Sequence, residues 1–265
     1  MNSALELTPA YRVDSIKTTI SRAPSEAARP TLNQELPELA RVIAIVGCDG
    51  SGKTRLAADL VKLMRCRGPA ERRYMGLISG ETGDKIRHLP LIGVALERHL
   101  AAKTRRAQDM DKKLPGTITA IVMYLLSAWR VTKVRHVIRL SRGGVSVIAE
   151  RYPQADIAGF HYDGPGLDDK RSDNWLVRRL SARERTLYQW MAEQRPALVL
   201  RLMVDPDTAF ARKSDHPMSE LVDKIEKMPQ ITYNGARIRE IDARLPYQEV
   251  LAAALREIDL ALVAS

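Results

Sequence analysis

Residues Gly47-Cys48-Asp49-Gly50-Ser51-Gly52-Lys53-Thr54 satisfy the pattern G-x-x-x-x-G-K-[ST] at every defined position. Glycines let a backbone wrap tightly enough for successive N–H groups to point inward at one phosphate. The pattern works only between a strand and a helix, because the helix must bring its positive end to the same phosphate. Both flanks are present. Five apolar residues, Val42-Ile43-Ala44-Ile45-Val46, come before it, and a helical pattern from Arg55 to Met64 comes after. Lys53 is expected to reach the β- and γ-phosphates of a nucleoside triphosphate, with the loop Gly47, Asp49, Gly50, Ser51 and Gly52 around it. The Thr54 hydroxyl is expected to ligate Mg²⁺, so ATP and Mg²⁺ are the cofactors implied. Asp49 is the unusual member. A carboxylate inside the loop repels a triphosphate unless it points at something else, such as a sugar hydroxyl on a second substrate; a solvated loop residue is its plainer reading.

Such a loop belongs to a parallel α/β sheet, and the remaining pattern agrees. Further β-rich runs occur at Arg72 to Met75, Val145 to Ala149, Leu198 to Val204 and, more weakly, Ile238 to Ile241. Near-continuous apolar strands separated by helical stretches predict a mostly parallel five-stranded sheet covered by helices on both faces, a three-layer P-loop NTPase fold. Residues 1–38, with Pro9, Pro24, Pro30 and Pro37, read as a flexible extension with one short helix over 13–21. Residues 39–265 read as the catalytic domain, with a short lid around 213–228. Two boundaries have a mechanism. Asp205-Pro206-Asp207 places a cap, a first-turn proline and a second acid at one helix start, and Ser181 to Gln194 reads as another helix. The apolar run Ile118 to Trp129 is too short to span a membrane and reads as a helix buried under the sheet.

Composition narrows the class. The chain has 265 residues, 42 Lys+Arg against 32 Asp+Glu, and a formal charge of +10. Nucleic acid, an acidic surface and small phosphorylated substrates all fit that balance, as does a merely basic solvated surface. Arg135, Arg139 and Arg142 form a basic helical stripe with the same two readings, solvated face or polyanion contact. Two cysteines, Cys48 and Cys66, make neither a disulfide framework nor a zinc site, which favours a reducing, cytoplasmic setting. No secretory leader, H-E-x-x-H, C-x-x-C or G-x-S-x-G pattern occurs.

Three further elements carry chemistry. Glu150-Arg151-Tyr152 follows the strand ending at Ala149, at the carboxyl edge where open sheets bind ligands. There an acid can hold a water of the Mg²⁺ shell and an arginine can fork onto a phosphate. Arg212-Lys213 ends the helix begun at Asp205 and leads into the expected lid, where positive charge can face a transferring phosphoryl group. Phe160, His161, Tyr162 and Asp163 precede the Gly164-Pro165-Gly166 turn, either docking an acceptor base or simply packing the loop.

In this order the elements resemble the thymidylate kinase family of P-loop nucleoside monophosphate kinases, over roughly Arg41 to Asp259. The loop matches that family's G-x-D/E-G-x-G-K-T, acid included, which implies that Asp49 contacts the acceptor sugar. Leu125-Leu126-Ser127-Ala128-Trp129-Arg130 resembles its "AxR" helix, implying that Arg130 binds the acceptor phosphate. Glu150-Arg151-Tyr152 resembles its "DR[YH]", with glutamate for aspartate. The segments from Pro196 and from Asp205 to Arg212 resemble its next strand and helix. Ile241-Asp242-Ala243-Arg244-Leu245-Pro246 resembles its "IDAxxP" tail, implying that Ala243 and Arg244 border adenine. The family's R-[EF]-P turn has no counterpart here, its thymine-stacking aromatic falls at Leu126, and Lys224 is the nearest equivalent of a lid arginine.

The resemblance implies Mg²⁺-ATP-dependent phosphorylation of a nucleoside monophosphate, dTMP or a related acceptor. Lys53, Arg151 and Arg212 would be catalytic. Asp49, Arg130, Arg151 and Tyr152 would hold the acceptor, and Thr54 and Glu150 the metal. Kinase action on a nucleoside or other small molecule, and a regulatory or nucleic-acid-associated P-loop NTPase, are the alternatives. No membrane partner is expected, the sequence carries no strong nucleic-acid signal, and pairing of two copies is left open.

Overall fold

Residues 38–77, 117–167, 174–214 and 217–263 are described in the computed structural model. The sequence-expected helix over 13–21 lies outside the described residues. Five strands form one sheet: β1 (Glu38–Gly47), β2 (Ala70–Tyr74), β3 (Ser146–Glu150), β4 (Arg195–Met203) and β5 (Ile238–Asp242). Their order is β2-β3-β1-β4-β5, and every pairing is parallel. All five expected strands are present, each within a few residues of its sequence bounds.

The central strand shows why the sheet needs two covering layers. Ile43 and Ile45 point to one face, and Val42, Ala44 and Val46 to the other, all buried. The first face packs on Leu56, Ala57 and Leu60 of α1 (Lys53–Arg65) and on Val250, Ala254 and Ile258 of α6 (Tyr247–Val263). The second packs on Val131, Val134 and Val137 of α2 (Thr117–Arg142) and on Tyr188 and Met191 of α3 (Trp175–Glu193). Between β4 and β5 lie α4 (Pro206–Arg212) and α5 (Met218–Lys227).

The caps follow the sequence. Asp205 accepts from Thr208 N at 2.8 Å, with Pro206 in the first turn of α4. Helix α3 begins six residues before the expected Ser181, because Asn174 caps it by accepting from Leu176 N at 2.9 Å. A larger correction concerns α2. Its apolar run is not buried under the sheet: Ala120, Met123 and Ser127 face inward, while Ile118, Ile121, Leu125 and Trp129 are exposed. The run is apolar all round, and tertiary packing covers only one side of it.

Strand order places the site. From β1 the chain crosses to β2 and returns through β3, then passes over β1 to β4 and β5. Winding reverses beside β1, and the crevice outside the carboxyl ends of β1, β3 and β4 is where such sheets take ligands.

Candidate functional site

The loop after β1 wraps as its glycines allow. Gly50 has φ +84° and Gly52 φ +88°, both in the left-handed region that side chains disfavour. At Gly50 there is also no room, since a Cβ would lie 2.3 Å from the Ala209 carbonyl oxygen of α4. Gly52 caps α1, so the positive end of that helix opens into the loop. Ser51 Oγ donates to Cys48 O at 2.8 Å, closing the turn.

Lys53 folds back across the loop and donates from Nζ to Cys48 O at 2.5 Å. Burial, and then the Arg151 guanidinium beside it, push its pKa down to about 7, with Asp49 opposing them. A polyphosphate would supply the missing counter-charge.

Register brings the β3 terminus to the same place. Glu150 pairs with Ile45 of β1, so its carboxylate reaches the start of α1. Thr54 Oγ1 donates to Glu150 Oε2 at 2.9 Å, and Arg72 of β2 holds the other carboxylate oxygen. Among the described residues, no group of three or more His, Cys, Asp or Glu could hold a metal alone. The Thr54–Glu150 pair nonetheless fits Mg²⁺, a hard cation held by one or two oxygen ligands together with water and substrate phosphates.

Asp49 is tied to two cations from other segments. It accepts from Arg151 Nη2 at 2.6 Å and from Lys224 Nζ of α5 at 3.0 Å. Burial alone would raise its pKa, but Lys224 and Arg151 override this and hold the carboxyl well below the usual carboxylate range. The loop, the β3 end and α5 are thus tied at one atom group. The loop and the β3 end, together with Arg55, Arg72, Tyr74, Arg212, Lys213, Ala243, Leu245 and Tyr247, line a cleft of about 1040 Å³. At its far end Arg212 donates to Ala243 O at 2.8 Å, and the Arg55 guanidinium lies 3.9 Å over the Tyr247 ring.

Comparison with known proteins agrees with a nucleotide cleft. No family model matches the chain. It is 50% identical over 224 residues to YghR of Escherichia coli strain K12, an uncharacterized ATP-binding protein, covering 84% of this chain and 89% of YghR. YghR of E. coli O6:H1 matches to the same extent. YghS of strain K12, likewise an uncharacterized ATP-binding protein, is 47% identical over 222 residues, covering 84% of this chain and 94% of YghS. The chain belongs to the YghR/YghS family.

In this family member, the residues singled out from sequence divide by position. Asp49, Gly50, Ser51, Gly52, Lys53, Thr54, Glu150, Arg151, Arg212 and Ala243 all line the cleft. Gly47, Arg130, Tyr152 and Arg244 do not. Arg130 is wholly buried, donating to Asp163 Oδ1 at 3.1 Å, Asp163 O at 3.2 Å, Tyr188 Oη at 3.3 Å and Arg151 O at 2.6 Å. It braces Arg151, whose backbone is left-handed at φ +55°. Tyr152 is buried and donates to Gln194 O at 2.5 Å. Arg244 is exposed and pairs with Asp242 at 2.7 Å. Tyr162 is buried and donates to Asp223 of α5, so the segment after Tyr152 packs against the expected lid. Arg72, Tyr74, Arg55 and Tyr247 are cleft residues that sequence reasoning missed; only strand register and helix packing bring them there.

Proposed function

We propose that this chain is a Mg²⁺-ATP-dependent kinase that phosphorylates a nucleoside monophosphate, in the manner of the thymidylate kinase-like enzymes it resembles. The observation that carries the reading is the 2.9 Å Thr54–Glu150 pair beside the loop, with Asp49 turned to Arg151 and Lys224. A bare hydrolase has no use for a loop carboxylate that gathers two cations from other segments, whereas a two-substrate enzyme does. The names of YghR and YghS support the ATP half.

Loop amides and Lys53 would grip the β- and γ-phosphates, the Lys53 amine taking a proton as it leaves Cys48 O. Thr54 and Glu150 would hold Mg²⁺, which offsets charge on the phosphate oxygens. The acceptor oxygen attacks the γ-phosphorus as the bond to the β-phosphate oxygen breaks, giving ADP and the phosphorylated acceptor. Arg151 and Lys224, already beside Asp49, would position the acceptor in line, and Arg212 would offset charge from the adenine side. Asp49 would keep the two cations partnered until the acceptor arrives.

A specific observation favours a second reading, a kinase of a nucleoside or other small acceptor. Arg130, the residue that resemblance assigns to an acceptor phosphate, already donates to four protein oxygens and is sealed from the cleft. Coupled ADP-release assays across nucleoside monophosphates and the matching nucleosides decide between the two, with Lys53→Ala as control. Release stimulated by a monophosphate supports the first reading. Release stimulated only by nucleosides supports the second, and release independent of every acceptor removes both in favour of a regulatory NTPase.

A further inference from the structure

Helix α2 presents one continuous outward stripe: Ile118, Ile121, Leu125, Trp129, Thr132, Arg135, Arg139 and Arg142, all exposed. Spacings of three and four keep these residues on one face of a helix roughly 39 Å long. The stripe changes character half-way. Its first half is aliphatic and aromatic, with Ile118 69% and Leu125 56% exposed, and its second half is cationic. Helix α3 lies alongside in the same direction, since Asn174 bonds Thr117 at one end and the Arg135 guanidinium lies over the Trp190 ring towards the other. Trp175, 65% exposed, therefore joins the apolar end, and Arg179 and Arg183 continue from it as exposed cations. Across α2 there is no acidic residue at all, and the only acids of α3 are buried Glu184 and Glu193 at its last turn.

Large apolar side chains left in water call for a partner, and their setting specifies its charge. We propose that the outer face of α2 and α3 docks this protein on an anionic phospholipid bilayer. Ile118, Leu125 and Trp175 would enter the headgroup boundary, with Arg135, Arg139, Arg142, Arg179 and Arg183 against the lipid phosphates. Apolar side chains, tryptophan among them, followed by arginines along one exposed surface combine burial in the headgroup boundary with attraction to anionic lipid, the two contributions that hold peripheral segments on a bilayer. Nucleic acid fits less well, because Ile118, Ile121 and Leu125 offer no base-stacking plane, and the exposed aromatics Trp129 and Trp175 sit with them on the apolar half. No helix of the described residues is long and apolar enough to cross a membrane, so the contact is peripheral. The sequence expectation of no membrane partner rested on the missing span and on placing this apolar run indoors.

The apolar end is also the cleft end. The last residue of α2 leads straight into β3, so its first turn lies towards the carboxyl edge of the sheet, where the cleft opens. Docking there would bring the cleft near the bilayer.

Vesicle sedimentation of the full chain tests this, comparing phosphatidylglycerol-containing vesicles with pure phosphatidylcholine at low and high salt. Binding to the anionic vesicles, weakened by salt and accompanied by a blue shift of tryptophan emission, is expected. Arg139→Gln/Arg142→Gln should lower partitioning by roughly thirtyfold, as expected for two charges at an anionic surface. Leu125→Ser/Trp175→Ser should abolish the blue shift, and unchanged melting of both variants confirms that exposed positions were altered without unfolding. Absence of vesicle binding, equal binding to phosphatidylcholine, or insensitivity to both variants overturns the proposal. So does tighter binding to a DNA duplex that displaces the vesicles, or a dimer that Leu125→Ser/Trp175→Ser turns into monomers.

Discussion

The two sides of the cleft are built on different principles. On the phosphate side, Gly50, Gly52 and Lys53 follow one another in the chain, and the ligand-facing groups are mostly backbone amides. On the other side, Asp49 and Arg151 line the cleft and pair with each other, with Lys224 on Asp49 and the Arg130–Asp163 pair behind Arg151, so that five separate segments meet there. The first is a local structure fixed by glycine chemistry; the second exists only once β3, α2 and α5 have been brought together. Damage to the first should cost binding and activity with little loss of fold. Damage to the second should cost fold as well.

Lys53→Ala tests that division most severely. Phosphoryl transfer should fall by roughly a thousandfold, the scale of losing one charge-stabilising donor. Melting temperature should not drop, because burial of Lys53 is itself unfavourable. A large fall in melting temperature would show that Lys53 supports the fold. Arg130→Met should act in the opposite sense. It leaves Asp163 and the Arg151 carbonyl without their donor, at a cost of about 3 kcal/mol in denaturant unfolding. An unfolding midpoint equal to the parent's would refute the bracing role.

Gly50→Ala lies between them, since at this residue the loop presses against α4. The left-handed backbone and the 2.3 Å approach to Ala209 O should lower stability by about 2 kcal/mol and weaken ATP binding, both measurable in one thermal-shift titration. Smaller still is a proton effect. With its pKa near 7, Lys53 is mostly neutral at pH 8 in the free protein, and polyphosphate should recharge it. Nucleotide binding at pH 8 should take up part of a proton, fading towards pH 6, as read by calorimetry in buffers of different ionisation enthalpy. The same shift makes folding stability rise with pH between about 7 and 10.5, where the unfolded chain binds the proton and the native one does not. Arg244→Ala should change neither activity nor melting, since Arg244 is exposed, pairs with Asp242 and does not line the cleft.

Legibility followed sequence separation. The loop, the capped start of α4 and the five strands were readable because glycine torsions, a capping carboxylate and runs of β-branched residues act on their own neighbours. Asn174 carried a readable signal too, a capping side chain before an apolar period, and it dates the start of α3 better than the apolar residues do. Arg72 offered no such signal. It reaches Glu150 only because β2 pairs with β3 in the observed register. Arg130 was marked as important, but its burial, and so its role as a brace, depends on Tyr188 and Asp163. Helix α2 shows the limit of hydrophobicity as a guide. Its run from Ile118 to Trp129 carries apolar residues around the whole circumference, and only the packing of one side reveals that the other side is in water.

The amino-acid order alone determined a phosphate-gripping turn between a buried strand and a helix, and with it a parallel α/β sheet, because backbone torsion and burial are decided over a few neighbouring residues. Tertiary structure alone decided which charges face each other around Asp49 and which half of α2 stays wet. Ion pairs and packing join residues as far apart as Asp49 and Lys224, and no local preference of either one specifies the other.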